Sequence, residues 1–351
     1  MKRMSQGMGA LAVLALLSST TGCTPADSAE KTPGGDGIAT EIRIGYFPNL
    51  THAPAIVGID KGFFASHLGA TTLSPTVFNA GPAAIESLFS GAVDMVFVGP
   101  NPTVNGFVKS QGAALRVVAG AASGGAGLVV RAGIEDVGEL RGKTIATPQL
   151  GNTQDVALRS WLKAQGLNAD TEGGGDVSIK PQENSLALQS FLSGTLDAAW
   201  VPEPWLSRMI QEGNGHLLVD EKDLWPDGKF VVTNLVVSTE FLQKYPASVA
   251  AVLAGELDAV EFISAEPEEA KKVVNDGIEK ITGQSIKPAV LDGAWKNVTF
   301  TLDPLSASLA KGAANAAAIG FIDKFDLTGL YDLAPLNTLL KARGLKEVQI
   351  P

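Results

Sequence analysis

Apolar and polar positions recur along this chain in one unit: a short apolar run, a polar corner, then an apolar stripe at helical spacing. The stretch Thr144–Gly166, TIATPQLGNTQDVALRSWLKAQG, shows it most plainly. Thr144 to Thr147 is short and partly β-branched, and Pro148 ends it because proline cannot donate to a sheet ladder. Gln149-Leu150-Gly151-Asn152-Thr153 supplies a loop with cap residues, and Ala157, Leu158, Trp161 and Leu162 form the stripe of a helix that Gly166 stops. Such a corner presents free N–H groups and the positive end of a helix dipole to a polar or anionic ligand.

The unit occurs twice. Pro48-Asn49-Leu50-Thr51-His52, after the apolar run at Ile42–Phe47, echoes the corner at Pro148. SGAVDMVFVGP at 90–100 is echoed by SGTLDAAWVPEP at 193–204. Both echoes lie about a hundred residues apart, the size of one domain. Two lobes of like topology facing each other across a cleft make a clamp. The pattern predicts an α/β fold with strand, helix, strand order in each lobe.

Apolar strand-like segments at Leu128–Val130 and Leu235–Val237 are expected to carry the chain between lobes. That assigns 41–126 and 235–351 to a discontinuous first lobe and 127–234 to the second. In the C-terminal third the pattern predicts helices from Pro246 to about Ile263, over Ala307–Phe321 and over Leu339–Gly344, completing the first lobe. Ala53 to Phe64 reads as one helix ending at Gly62.

The N-terminus changes the picture. Met1-Lys2-Arg3 precedes an apolar run at 8–17 too short to span a membrane, then small residues and Cys23. Residues 1–22 read as a signal peptide and 23–40, rich in Pro and Gly, as a flexible tether. Cys23, the single cysteine, resembles the lipidated residue of a bacterial lipobox, with Thr20 where that motif has Leu. The reading is an exported chain, held by an N-terminal lipid at the outer face of the cytoplasmic membrane or periplasmic. One cysteine excludes an intramolecular disulfide and a cysteine-rich metal site. The chain carries 27 Lys and Arg against 37 Asp and Glu. Removing Lys2 and Arg3 takes the formal charge from −10 to −12, which speaks against nucleic acid as a partner.

The segments EIRIGYFPNLTHAPAIVGIDKGFF, SGAVDMVFVGP, GKTIATPQLGNTQDVALRSWL and LDAAWVPEPW together resemble the substrate-binding proteins of ABC importers in the nitrate, sulfonate and taurine group. The resemblance spans roughly 41–345. It implies a two-lobed periplasmic-binding fold of type II, with two hinge crossings, closure on a small solute, and a membrane permease with its ATPase as partners. A monomer without cofactor or metal is expected. A sulfonate or taurine-like solute is the first expectation, then nitrate. A thiamine-precursor pyrimidine, or a sensor without transport, is the alternative.

Carried over by position, the contacts from the first lobe are Asn49, Thr51, His52, Asn79, Gly81, Pro100, Asn101 and Ser123. Those from the second are Gln149, Asn152, Thr153, Gln154, Glu203 and Trp205. Asn49, Asn79 and Asn152 are equally good turn and cap residues, Asn101 lies between two prolines that shape a turn, and Trp205 suits interior packing. Glu203 sits badly beside an anion unless it is paired. It either faces away toward a base such as Arg208 or reads an amine on the solute. No Arg or Lys stands in the cleft loops, so binding would rest on neutral donors. Catalysis is not expected: related pyrimidine synthases need a cysteine-rich motif and clustered histidines, whereas His52, His67 and His216 are far apart. No G-x-S-x-G, H-E-x-x-H or P-loop pattern occurs either.

Overall fold

A computed structural model describes residues 37–323 and 325–350. The signal segment and Cys23 lie outside the described residues. In chain order the first part runs β1 (Glu41–Tyr46), α1 (Ala53–Asp60), α2 (Phe63–Leu68), β2 (Thr72–Val77), α3 (Gly81–Phe89), β3 (Met95–Val98), α4 (Pro100–Lys109) and β4 (Leu115–Gly124). Then come β5 (Ala126–Arg131), β6 (Thr144–Thr147), α5 (Thr153–Ala164), β7 (Ser178–Pro181), α6 (Asn184–Ser193), β8 (Ala198–Pro202), α7 (Trp205–Gly213) and β9 (Gly215–Asp220). The last part holds β10 (Val231–Ser238), α8 (Thr239–Lys244), α9 (Pro246–Ala265), α10 (Pro267–Thr282), α11 (Pro288–Trp295), β11 (Val298–Phe300), α12 (Ser306–Ala318) and α13 (Ala334–Ala342).

The strands make two sheets, β11-β4-β10-β3-β1-β2 and β7-β6-β8-β5-β9. Each is built on three parallel strands, β2-β1-β3 in one and β7-β6-β8 in the other. Each then adds an antiparallel strand beside the third: β10 on β3, and β5 on β8. The sequence echo has a physical basis here. Asp94 Oδ2 accepts from the amide of Arg43 at 2.8 Å, and Asp197 Oδ2 accepts from that of Thr144 at 2.8 Å. In both copies the Asp three residues after the Ser-Gly pair pins the middle strand of the parallel three.

The chain crosses between sheets at Gly124–Gly125, where φ is +82° and +70°, values that suit glycine alone. It returns through 221–230. The crossings thus lie outside the segments expected from sequence. Leu128–Val130 and Leu235–Val237 are fully buried and paired on both sides within their sheets, so they cannot pivot. Val231–Asn234, assigned above to the second lobe, already belongs to β10 of the first sheet. An apolar run marks burial, whether or not the chain changes sheet there.

Other boundaries moved as well. Residues 37–40 of the expected tether are fastened: Ala247 N donates to Gly37 O at 3.1 Å and Ala39 N to Ser248 Oγ at 2.8 Å. The helix from Ala53 does stop at Gly62 as expected, where φ of +76° turns the chain left-handed, and a second helix, α2, starts directly after it. α10 and α11 fall in the C-terminal stretch whose pattern is helical, whereas the strand β11 departs from that pattern. α9 packs in the core of the first sheet with α1 and α2, while α12 lies against α4 and α5 and so touches both lobes.

Candidate functional site

The loops at the carboxyl ends of the parallel strands meet between the sheets. Their cavity is lined by Phe47, Asn49, Thr51, His52, Asn79 and Gly99 from one lobe, and by Pro148, Asn152, Thr153, Gln154, Asn184 and Pro202 from the other, with Val232 of the return strand. Its volume is about 20 Å³, close to that of a site for one or two waters. The lobes are closed: Gly99 has no side chain because Thr153 Oγ1 stands 2.3 Å from where a Cβ would be.

One buried carboxylate shapes the second lobe's contribution. Asp155 accepts from Thr147 Oγ1 at 2.8 Å and from the amide of Gly151 at 2.9 Å, and Arg159 Nε donates to both its oxygens at 3.1 Å. It ties the end of β6, the loop and the first turn of α5 into one piece. Asn152 is therefore released from capping. Its Oδ1 accepts from the Gly81 amide across the cleft at 3.2 Å, and its Nδ2 donates to Gln154 Oε1 at 2.9 Å.

The first lobe presents Asn49, Thr51 and His52 on a 3-10 turn, all buried. His52 Nδ1 accepts from the Phe47 amide at 3.4 Å, and the two rings lie 4.4 Å apart. Burial lowers its pKa from 6.5 to about 3, so the imidazole is neutral. Asn49 Oδ1 accepts from Trp205 Nε1 at 2.7 Å, Leu50 N donates to Glu203 O at 3.1 Å, and Asn79 Nδ2 donates to Glu183 Oε1 at 2.7 Å. Each of these bonds spans the lobes.

The structure thus gathers Asn49, Thr51, His52, Asn79, Asn152, Thr153 and Gln154 around one cavity. The other expected residues lie elsewhere. Gly81 only donates to Asn152, and Gln149 is half-buried outside the lining. Asn101 donates to Gly312 O at 3.0 Å and, with Pro100, lines a neighbouring space. Ser123 faces a separate depression beside Asp220 and Lys222. Trp205 packs in the second lobe's core.

Glu203 requires the largest correction. It is fully buried, and its Oε1 accepts from Ser207 Oγ at 2.8 Å and Asn297 Nδ2 at 2.7 Å while Oε2 accepts from Ser207 N at 3.0 Å. The carboxylate sits on the first turn of α7, where a negative charge is favoured. Burial raises its pKa, and the bonds from Asn297 and Ser207 oppose that shift. It pairs with neither Arg208 nor the cleft; Arg208 pairs with Glu212.

Sequence reasoning missed Phe47, Gly99, Pro148, Asn184, Pro202 and Val232, of which Asn184 alone adds a polar side chain. Glu183-Asn184 follows β7 as Asn79 follows β2, the same offset of about a hundred residues, so extending the echo to a third segment would have found Asn184. The cavity has no Asp, Glu, Lys or Arg in its lining. Two polar atoms there, Thr153 Oγ1 and Asn184 Oδ1, are buried without a partner. The N-termini of α3, α4, α5 and α6 all end at this cleft. Among the described residues no group of His, Cys, Asp and Glu could hold a metal ion.

The sequence model of the NMT1-like family matches residues 36–276. The chain belongs to the NMT1-like family. A Brucella abortus protein named as a binding protein, without a stated solute, is 25% identical over 81% of this chain and 84% of its own length. The bicarbonate-binding protein CmpA of Synechococcus elongatus is 24% identical over 63% of this chain and 53% of its own. Among solved structures, the alkanesulfonate-binding protein SsuA of Xanthomonas axonopodis bound to MOPS superposes with a TM-score of 0.68, at 21% identity, over 82% of this chain and 96% of that one. The periplasmic nitrate-binding protein NrtA of Synechocystis does so with a TM-score of 0.69, at 14% identity, over 87% and 89%. This family member therefore has the periplasmic-binding-protein-like fold, as two mixed sheets with a cleft between them.

Proposed function

We propose that this NMT1-like protein is the extracytoplasmic solute-binding component of an ABC importer, delivering a compact polar solute to a permease served by an ATPase. The observation that carries the reading is the interlobe cavity itself. It is lined by neutral hydrogen-bonding side chains, faces several helix N-termini, and holds Thr153 Oγ1 and Asn184 Oδ1 without partners. Helix termini and neutral donors can offset a single negative charge without a cation, as solute-binding sites for small oxyanions require. The names of the relatives, for nitrate, bicarbonate and sulfonate, agree with that chemistry.

Size ranks the solutes. A cavity of about 20 Å³ favours a compact monoanion such as nitrate or bicarbonate, and a longer alkanesulfonate needs the lobes further apart. Glu203 is engaged with Ser207 and Asn297, so an amine such as that of taurine has no carboxylate waiting in the cleft. The export, the lipid on Cys23 and the monomeric state are part of the same proposal. Mass spectrometry of the membrane fraction tests the lipid as a diacylglyceryl mass on an N-terminal Cys23 peptide.

The solute is tested by a thermal-shift panel of nitrate, bicarbonate, taurine and an amine-free alkanesulfonate. A solute at a hundred times its dissociation constant stabilises by about 2.7 kcal/mol. Small-angle scattering with the winning solute should show compaction about Gly124–Gly125 and 221–230. A panel in which no oxyanion shifts the transition would remove this reading.

A further inference from the structure

Beside the cleft lies a second cavity between the same lobes, about 200 Å³ in volume, and Thr153 borders both. α5 contributes Val156 and Trp161 to it, α12 contributes Lys311, and the return segment contributes Glu221 and Trp225. We propose that this cavity binds a single-ring aromatic carboxylate, with the ring inside and the carboxylate at Lys311, and that the bound acid holds the lobes closed.

The volume and lining select the ring. A dry apolar cavity of about 150 Å³ accommodates benzene, so this one has room for a ring and one substituent. Trp225 is fixed by stacking on Phe230, with centroids 5.7 Å apart and planes at 13°. Its indole N–H is directed at the Glu221 carboxylate, whereas Thr153 Oγ1 is buried without a partner although Thr153 is only 6% exposed. Buried hydroxyls without partners are uncommon in native proteins, and this one, at the edge of the cavity, points to a ligand that accepts hydrogen bonds.

The charges select the carboxylate and its orientation. Lys311 is exposed, lies 4.8 Å from the centre of the Trp225 ring, and donates to Leu224 O at 2.8 Å. Among the described residues it forms no ion pair. Glu221, the one acid in the wall, is 1% exposed and accepts from Trp200 Nε1 at 2.8 Å. The cation is thus open to solvent and the carboxyl is engaged inside, which turns an anionic end toward Lys311. Because the cavity has walls from both lobes, a molecule in it prefers the closed state and raises affinity for the cleft solute by the same factor that the solute raises its own. The proposal depends on closure, whatever solute occupies the cleft.

Benzoate is the probe, titrated into the full mature chain by calorimetry and tryptophan fluorescence. Saturable binding in the micromolar to millimolar range is expected, with a rise in Tm. Ala157→Phe, on the α5 wall, should abolish it by filling the space. Lys311→Gln should weaken it about threefold to fivefold, the range of an exposed ion pair, and remove its salt dependence. Asn184→Ala in the cleft should leave benzoate affinity unchanged while weakening the cleft solute, so the two sites fail separately. Absence of saturable binding overturns the proposal. So does binding that survives Ala157→Phe and Lys311→Gln together, or that is lost in Asn184→Ala, which would place benzoate in the cleft.

Discussion

The two lobes share the order of their parallel strands and an aspartate that pins the middle one of the three, yet they secure that aspartate differently. In the first lobe Asp94 also binds the guanidinium of Arg43, accepting from its Nε at 3.0 Å and its Nη2 at 2.5 Å, and its side chain is 8% exposed. In the second lobe Asp197 has the Thr144 amide and, among the described residues, no ion pair. The first lobe is also wrapped by α9, α10 and α13, whereas of the C-terminal helices only α11 and α12 reach the second, against α7 and α5. The duplicated motif is therefore a minimum specification. The lobe that carries the added C-terminal helices has the stronger pin.

Breaking that pin should have the largest effect. Asp94→Ala removes two charge-assisted bonds and leaves a backbone amide unpaired, while Arg43 keeps Gly91 O and is partly exposed, a loss of about 2–3 kcal/mol in chemical denaturation. Asp197→Ala removes one bond at a half-buried site and should lose about 1 kcal/mol. Equal losses in the two lobes would show that the Arg43 pair contributes nothing.

Buried groups resist ionisation in both directions of pH, and Glu256 on α9 of the first lobe shares the upward shift that burial gives Glu221. Burial holds Glu221, between β9 and β10, at a pKa of about 7 against 4.5 when unfolded. Its ionisation thus opposes folding: the penalty is absent below 4.5, grows as pH rises, and is full above about 7. Glu221→Gln keeps an acceptor for Trp200 and should stabilise by about 2–3 kcal/mol at pH 8, with no gain at pH 4. Urea titrations at both pH values measure this.

His52 of the first lobe has the opposite sign. Its folded pKa of about 3 lies below the unfolded 6.5, so its contribution is full above 6.5 and is lost as pH falls toward 3. At pH 5 the loss is about 2 kcal/mol, and His52→Gln should flatten the stability curve between pH 6.5 and 5. A curve that keeps its slope in the variant would place the acid sensitivity elsewhere.

The smallest expected effect sharpens the site. Glu203→Gln should leave solute affinity within about 0.5 kcal/mol of the parent, because the carboxylate is bonded to Ser207 and Asn297 and not to the cleft. Asn184→Ala should weaken the same solute by about 1 kcal/mol. Calorimetry that reversed this order would return Glu203 to the solute.

The sequence by itself determined the repeated unit, because burial of a strand followed by a helix N-terminus imposes local residue choices. Pro148, Asn152 and Gly166, and the two Ser-Gly-x-x-Asp turns, are visible for that reason. It also determined that the cleft has no cation, since none stands in the corner loops. Tertiary structure decided the rest. Glu203 reads as a cleft carboxylate until Asn297, 94 residues later, arrives to bind it. Asn101 reads as a cleft amide until α12 brings Gly312 O to it. The crossings fell at Gly124–Gly125 and 221–230 because hydrophobicity reports burial, and a strand in the middle of a sheet is as apolar as a strand that leads out of one. A side chain's partner is chosen by packing between segments far apart in sequence, and local pattern carries no record of that choice.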